Sequence, residues 1–424
     1  MPVIVLMPNC TFLSETSRML AIAQALEERG AEIALASHGG IYRSLLSESG
    51  MPWRRLSPEM DTTLSQDFLD SLLNMGLKGK PFYTNDFMRK AIAAEVELLR
   101  EVKADMVVTG FNLTTYLSSR IASVPLATSH GGSYVPPVFE RGLAPACVNP
   151  PLAAMRMLPR FIDRRLANFI PPRLSGPVDF LNVMADELGV ERVPSVAAML
   201  CGDLTLVTDV PEILGITKDE LESWRPTTNH YRPATRLRYV GPLFARFDQE
   251  IPEQVKAFLN GPGPIVYVAP TSVKSCFLVD IVLAVKAAGV RVLVGATIHD
   301  ISHLSDESTC IAGILPNHLV MPEVDLAVIM GGQGSVQCAM ASGTPIIGFP
   351  YHAEQELNLV LAERQGMAIR IAPRMAGTTK LTRAVKQMVD NPEVKSNAKR
   401  VKSLYESIDG ATNAAQAILN YIEG

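Results

Sequence analysis

Short apolar runs alternate with amphipathic stretches from the first residues onward. Val3 to Met7 is uniformly apolar and stops at Pro8 and Asn9, the pattern of a strand buried on both faces. From Arg18 to Arg29 the apolar residues Met19, Leu20, Ile22, Ala23 and Leu26 recur at helical spacing, and Gly30 ends the run. Glu32 to Ala36 reads as a second strand. Strand, helix and strand within the first 36 residues make a βαβ unit, which implies a parallel sheet. Further strands are predicted at Asp105 to Thr109, Val124 to Thr128 and Leu204 to Thr208.

Around Pro233 to Pro252 the rhythm breaks into a charged, proline-flanked stretch that reads as a linker. A second series follows. Strands are predicted at Ile265 to Ala269, Arg291 to Val294, Leu326 to Met330 and Pro345 to Phe349, with helices at Phe277 to Gly289 and Ser335 to Ser342. The fold class is therefore α/β, two successive doubly wound halves with a cleft expected at the carboxyl ends of their parallel sheets. The expected division is 1–235, a linker at 236–255, a second domain at 256–405 and a terminal helix at 406–424. Between Pro150 and Pro177 the arginines Arg156, Arg160, Arg164 and Arg165 recur on an otherwise apolar segment. A helix with a solvated face is the favoured reading there, with a membrane-surface or acceptor lid as the minor one.

Composition narrows the function classes. Hydrophobic residues make up 47% and charged residues 19% of the 424 residues, a globular balance with enough apolar material for two cores. A net charge of −4 supplies no basic field for nucleic acid. Cys10, Cys147, Cys201, Cys276, Cys310 and Cys338 are scattered, so neither a zinc site nor a disulfide framework follows. No signal peptide or membrane-length apolar run is read, which makes a cytoplasmic protein the expectation.

The candidate chemistry lies between Leu315 and Asn358. Gly331, Gly332 and Gly334 follow a strand and precede a helix, where glycine lets backbone N–H groups approach an anion and the helix dipole favours it. Ser335 can cap that helix and donate a hydroxyl to a phosphate oxygen. The glycines alone fit a packing turn equally well. The next strand adds a loop with Glu354, Gln355 and Asn358, a carboxylate and carboxamides suited to sugar hydroxyls. A phosphate cradle followed by a hydroxyl reader describes a nucleotide sugar.

This stretch resembles the donor-binding motif of the UDP-glycosyltransferase superfamily, including the bacterial macrolide- and antibiotic-type enzymes. The matching residues are Pro316-Asn317, Pro322, Asp325, Gly331-Gly332, Gly334-Ser335, Gly343, Pro345, Pro350, Gln355 and Asn358, with Glu354 where the family has Asp or Glu. Val240-Gly241-Pro242, Tyr267 to Ser272 and Met19 to Ala23 carry supporting similarity. The resemblance implies a GT-B fold, two facing Rossmann-like domains, with acceptor on the first and donor on the second. It places Asn317 and His318 at the base, Gly334 and Ser335 at the diphosphate, Thr271 and Ser272 in a loop facing it, and Glu354 and Gln355 on the transferred sugar. It also implies that the terminal helix, Thr412 to Ile422, packs on the first domain.

Four departures from the family pattern bear on chemistry. The histidine that usually precedes the glycine pair is Met330, which offers no cation or strong donor, so the leaving group falls to backbone amides and hydroxyls. The ribose-binding glutamate falls at Cys338, and a loop glycine is Pro270. The usual catalytic histidine and its orienting aspartate fall at Glu15 and Gly110. Glu15 is therefore the candidate base, weighed against a loop carboxylate or helix cap. His130, in T-S-H-G-G, could supply an imidazole or contact acceptor, with a structural loop histidine the favoured reading. The Asp, Glu and His residues show no metal spacing, and the donor region has no D-x-D motif.

The leading expectation is thus inverting, metal-independent transfer of a hexose from a UDP- or dTDP-sugar, with no cofactor beyond that co-substrate, to a small apolar acceptor. Homodimerisation is compatible with the sequence. The alternative is a catalytically silent GT-B protein that binds nucleotide sugar or a partner. A nucleotide-sugar isomerase is disfavoured, because it needs more convergent carboxylates and histidines than the sequence offers.

Overall fold

In β1 (Val3–Leu6), Ile4 and Leu6 join one buried cluster while Val5 joins another. Helices therefore cover both faces of the sheet, which explains why the run is apolar throughout. The computed structural model describes residues 1–73, 82–150, 153–244, 250–270, 273–296 and 299–424. The chain divides into two compact units. One comprises Met1–Ala144, Arg165–Leu243 and Asp409–Gly424; the other comprises Pro145–Arg164 and Phe244–Ile408.

The first unit is built on β1, β2 (Glu32–Gly39), β3 (Trp53–Met60), β4 (Met106–Thr109), β5 (Leu126–His130), β6 (Leu204–Val207) and β7 (Arg236–Tyr239). They form a parallel sheet in the order β3-β2-β1-β4-β5-β6-β7. Strand order reverses between β1 and β4, and the loops leaving those two strands flank the crevice where such sheets bind ligands. On one face the helix Leu13–Glu27 packs Met19, Ile22 and Leu26 together with Ala414, Ala415 and Ile418 of the terminal helix Gly410–Glu423. On the other, Met88, Ile92 and Leu99 of the helix Asn85–Glu101 cover Val5 and Val107. Burying each such side chain contributes roughly 1.5–3 kcal/mol.

The second unit carries β8 (Ile265–Val268), β9 (Arg291–Gly295), β10 (Thr309–Ala312), β11 (Leu326–Ile329), β12 (Ile346–Gly348) and β13 (Ala368–Arg370). Their order is β10-β9-β8-β11-β12-β13, again parallel, with the reversal between β8 and β11. Leu278, Ile281 and Val285 of the helix Ser275–Lys286 and Leu381 and Val385 of the helix Thr379–Met388 close one face over Val266 and Val328.

Three segments differ from the sequence reading. The first helix begins at Leu13 and not at Arg18, with Phe12 at its N-cap and no side-chain cap. Arg236–Tyr239, read as the start of a linker, is strand β7, paired along its length with β6. Pro145–Arg164, read as part of the first half, clusters with the second unit. The arginine-bearing stretch does form a helix, Arg160–Phe169, preceded by a 3₁₀ turn at Ala153–Met157.

Candidate functional site

The turn after β11 is shaped by Gly331, whose φ of +95° disfavours any residue with a Cβ. A Cβ there would also stand 2.6 Å from the Leu359 side chain and 3.0 Å from the Gln355 carbonyl. Close approach of the helix Ala353–Arg364 to the turn therefore depends on this glycine. Gly331 is buried, while Gly332, Gln333, Gly334 and Ser335 are partly exposed. The helix Gln333–Ser342 starts from Gly332 as N-cap, and its first backbone bond runs from Val336 N to Gly332 O at 3.1 Å. The amides of Gln333, Gly334 and Ser335 stand ahead of that ladder, at the positive end of the helix. Ser335 is consequently the third residue of the helix and not its cap; its hydroxyl belongs to the first turn.

The helix Ala353–Arg364 brings its own N-terminus to the same edge of the sheet. Asn358 joins the two: its Nδ2 donates to Gly331 O at 3.1 Å and to Glu354 Oε1 at 3.1 Å. Gln355 is held by its Oε1, which accepts from Tyr351 N at 2.8 Å. Glu354 stays partly exposed, with its Oε2 3.9 Å from His352 Nδ1. Burial lowers the His352 pKa and the Glu354 carboxylate partly opposes this. Asn358 was legible as a motif position; its role as the clasp between turn and helix was not.

Asn317 opens the short helix Asn317–Val320, and its Oδ1 accepts from the Tyr267 hydroxyl at 2.8 Å. Tyr267, fully buried on β8, is the residue the sequence reading missed here. Its pKa rises through burial, with Cys338 contributing, so that buried thiol also lies in Tyr267's electrostatic reach. His318 follows Asn317 and is partly buried. Met330 does not line the turn: it is buried in the apolar core with Val328 and Phe349. Thr271 and Ser272 lie outside the described residues. Among the described residues no group of three or more His, Cys, Asp or Glu is placed to hold a metal ion.

In the first unit, Glu15 lies in the first turn of its helix and is 1% exposed. Its Oε1 accepts from the amides of Asn9 at 3.0 Å, Gly110 at 3.2 Å and Phe111 at 2.7 Å. Asn9 follows β1 and the other two follow β4, so one carboxylate oxygen braces the crevice where strand order reverses. Oε2 is buried with no hydrogen-bond partner among the described residues. Burial raises the Glu15 pKa to about 7, against the lowering effect of the Asn9 and Phe111 amides. Gly110 has a steric reason: a Cβ there would stand 2.9 Å from Glu15 Cγ and Cδ. The expectation of a loop carboxylate gives way to a buried brace on a helix.

His130 ends β5, 7% exposed, with its ring at 79° to that of Phe111 and a centroid distance of 6.4 Å. Its Nε2 is buried without a hydrogen-bond partner among the described residues, and burial, aided by Arg18, lowers its pKa to about 3. The imidazole is therefore neutral at physiological pH.

Residues 232–409 match the family described as UDP-glucoronosyl and UDP-glucosyl transferase. That span contains the whole Gly331 turn and the helix that clasps it. Over that span the chain is similar to the UDP-glycosyltransferase family. A relative, the PGL/p-HBAD biosynthesis glycosyltransferase of Mycobacterium tuberculosis, is 28% identical over 341 residues, covering 77% of this chain and 73% of its own. The structure of Phytolacca americana UGT2 with UDP-2-fluoro-glucose and pterostilbene superposes with a TM-score of 0.68 at 14% identity, covering 100% of both chains. Glycosyltransferase VinC in complex with dTDP gives 0.65 at 16% identity, covering 99% of both. At those identities the likeness establishes the fold alone, which is GT-B.

Proposed function

We propose that this protein transfers a hexose from a nucleoside-diphosphate sugar, UDP- or dTDP-linked, to a hydroxyl of a small apolar acceptor, inverting the anomeric centre without a metal ion. The observation that carries the reading is the turn at Gly331. It presents the first-turn amides of the helix Gln333–Ser342 beside a carboxylate, Glu354, and a carboxamide, Gln355, all at one sheet edge. Amides at a helix N-terminus suit a diphosphate, and the side chains opposite suit pyranose hydroxyls. The names of the relatives, a PGL/p-HBAD biosynthesis glycosyltransferase and 4'-demethylrebeccamycin synthase among them, support a small-molecule acceptor.

In this reading the developing charge on the departing diphosphate is met by backbone amides, since Met330 offers no donor. Glu15 receives the acceptor's proton through Oε2, the oxygen its brace leaves uncommitted, with a pKa of about 7 matched to that work. Burial of Oε2 favours a second reading, nucleotide-sugar binding without turnover. Calorimetric titration with UDP, dTDP and their hexoses, followed by turnover with a phenol and alcohol panel, separates the two. Absence of nucleotide binding sinks both. Binding with no transfer leaves the second, and a Glu15→Gln variant with full turnover removes Glu15 from the chemistry.

A further inference from the structure

Within the second unit, away from the Gly331 turn, a cavity of about 480 Å³ opens between the segment Pro145–Arg164 and the end of the helix Ala353–Arg364. Its lining holds four guanidinium groups, from Arg160, Arg164, Arg364 and Arg370, against one carboxylate, Glu363. We propose that this cavity binds a phosphate-bearing ligand, either a phosphorylated small molecule or a lipid headgroup, and does so separately from the diphosphate turn.

Arg370 shows how the floor is built. Its side chain is 7% exposed, with Nη1 2.8 Å from Glu356 Oε2 and Nε 3.0 Å from Glu363 Oε2. The same Nη1 donates to Ala146 O at 3.3 Å, while Glu356 Oε1 accepts from the amides of Val148 at 2.6 Å and Asn149 at 3.0 Å. This buried pair latches residues 146–149 onto the helix and already engages the carboxylate of the lining. The other three arginines bring positive charge into the same space. Arg160 and Arg164 sit one helical turn apart, an arrangement of like charges that costs a few tenths of a kcal/mol by itself. Arg364 has its pKa lowered by burial first and then by Arg164 and Arg370, with Glu363 the opposing influence. Planar guanidinium forks are the groups that recognise phosphate, and four of them line this partly enclosed space.

The volume exceeds what inorganic phosphate fills and falls in the range of small-molecule sites. Two sources share the chemistry. Met157 and Phe161 are 89% and 66% exposed on the same short segment as Arg160, which makes a headgroup at a bilayer surface one of them. A soluble phosphate ester is the other. Glu354 and Glu363 lie at opposite ends of one helix, about 13 Å apart along its axis. A ligand here would therefore hold the helix that clasps the Gly331 turn without touching the turn.

The test compares the 424-residue protein with Arg164→Gln, Arg164→Gln/Arg364→Gln and, as a charge-matched control, the exposed Arg192→Gln. Glycerol phosphate is titrated by calorimetry at fixed ionic strength, and flotation is measured with phosphatidylcholine vesicles lacking or containing phosphatidylglycerol. The double variant is expected to bind glycerol phosphate, anionic vesicles or both at least about tenfold more weakly, the single variant less so, and the control like wild type. Loss confined to glycerol phosphate assigns the soluble source; loss confined to vesicles assigns the headgroup. Arg164 is exposed, so its single variant reports even if the double variant folds poorly. Equal binding by wild type and both arginine variants, or no binding of either probe by wild type, overturns the proposal.

Discussion

Replacing Gly110 by alanine tests whether Glu15 braces the first sheet. The added methyl would stand 2.9 Å from Glu15 Cγ and Cδ and 3.2 Å from Oε1, closer than carbon atoms tolerate, so the carboxylate must move. Moving it weakens three amide bonds of 2.7–3.2 Å that converge on a single oxygen. A hydrogen bond to a charged group contributes about 1.5–3 kcal/mol, and partial relaxation spares some of that, which leaves an expected cost of roughly 2–4 kcal/mol. For a unit of this size the apparent thermal midpoint falls by roughly 5–10 °C. The decisive measurement is the cycle with Glu15→Ala, followed by denaturant or thermal unfolding of all four proteins. Once the carboxylate is gone the extra methyl has room, and Gly110→Ala is expected to cost under about 1 kcal/mol. An equal penalty in both backgrounds would show that the methyl meets something other than Glu15, and the brace would be refuted.

The same groups set the pH response. Glu15 titrates near pH 7 in the folded protein against 4.5 ordinarily, so between those values the folded state holds the extra proton and stability falls as pH rises, by about 3 kcal/mol in all. The depressed His130 works the other way, its share being lost as pH falls from 6.5 toward 3. Between pH 4.5 and 6.5 the two oppose each other, so each is read as the difference between wild type and Glu15→Gln or His130→Asn in unfolding scans across pH. Gly331→Ala is expected to abolish nucleotide-sugar binding in calorimetry by pushing Leu359 and the helix away from the turn; unchanged affinity would remove the turn from the site. Tyr267→Phe removes the 2.8 Å bond to Asn317 and should weaken nucleotide binding by about tenfold or less, at roughly 1 kcal/mol, with sugar selectivity intact. Glu356→Ala removes one of Arg370's two carboxylate partners and the acceptor of the Val148 and Asn149 amides, and should destabilise the second unit by about 1–3 kcal/mol, measured by unfolding.

What the sequence disclosed follows from how local each signal is. The strands β1, β4 and β8 are short apolar runs beside turn residues, and both the period and the punctuation are visible in neighbouring positions. The glycine turn between β11 and its helix was legible for the same reason. The start of the first helix was hidden because its opening turn, Leu13-Ser14-Glu15-Thr16, is largely polar and lacks a side-chain cap. Tertiary contacts hold it, Glu15 above all. β3 was not read because W-R-R-L-S-P-E-M contains a proline and only two buried positions, as an edge strand paired only with β2 allows. Glu15 and Gly110 are 95 residues apart, and Val148 and Glu356 are 208 apart. No local pattern announces contacts of that separation, and the arginine cavity, which draws on both of its segments, was illegible on the same ground.

The two sheets make opposite use of one topological feature. Each reverses strand order between its first strand and the one that follows the crossover, β1 to β4 and β8 to β11, and each leaves a crevice at the carboxyl ends of those strands. In the first, the crevice amides of Asn9, Gly110 and Phe111 are consumed by a side chain of the protein itself, and a glycine is kept to admit it. In the second, a glycine is kept so that a helix can close on the turn, and the amides of Gln333 to Ser335 stand ahead of the helical ladder, partly exposed. An anion-accepting crevice that is already occupied by a carboxylate offers nothing to a diphosphate. The proposed function accordingly assigns the nucleotide sugar to the second sheet on electrostatic grounds that hold even without the motif, and what the first sheet would offer a substrate is the one carboxylate oxygen its own amides have left over.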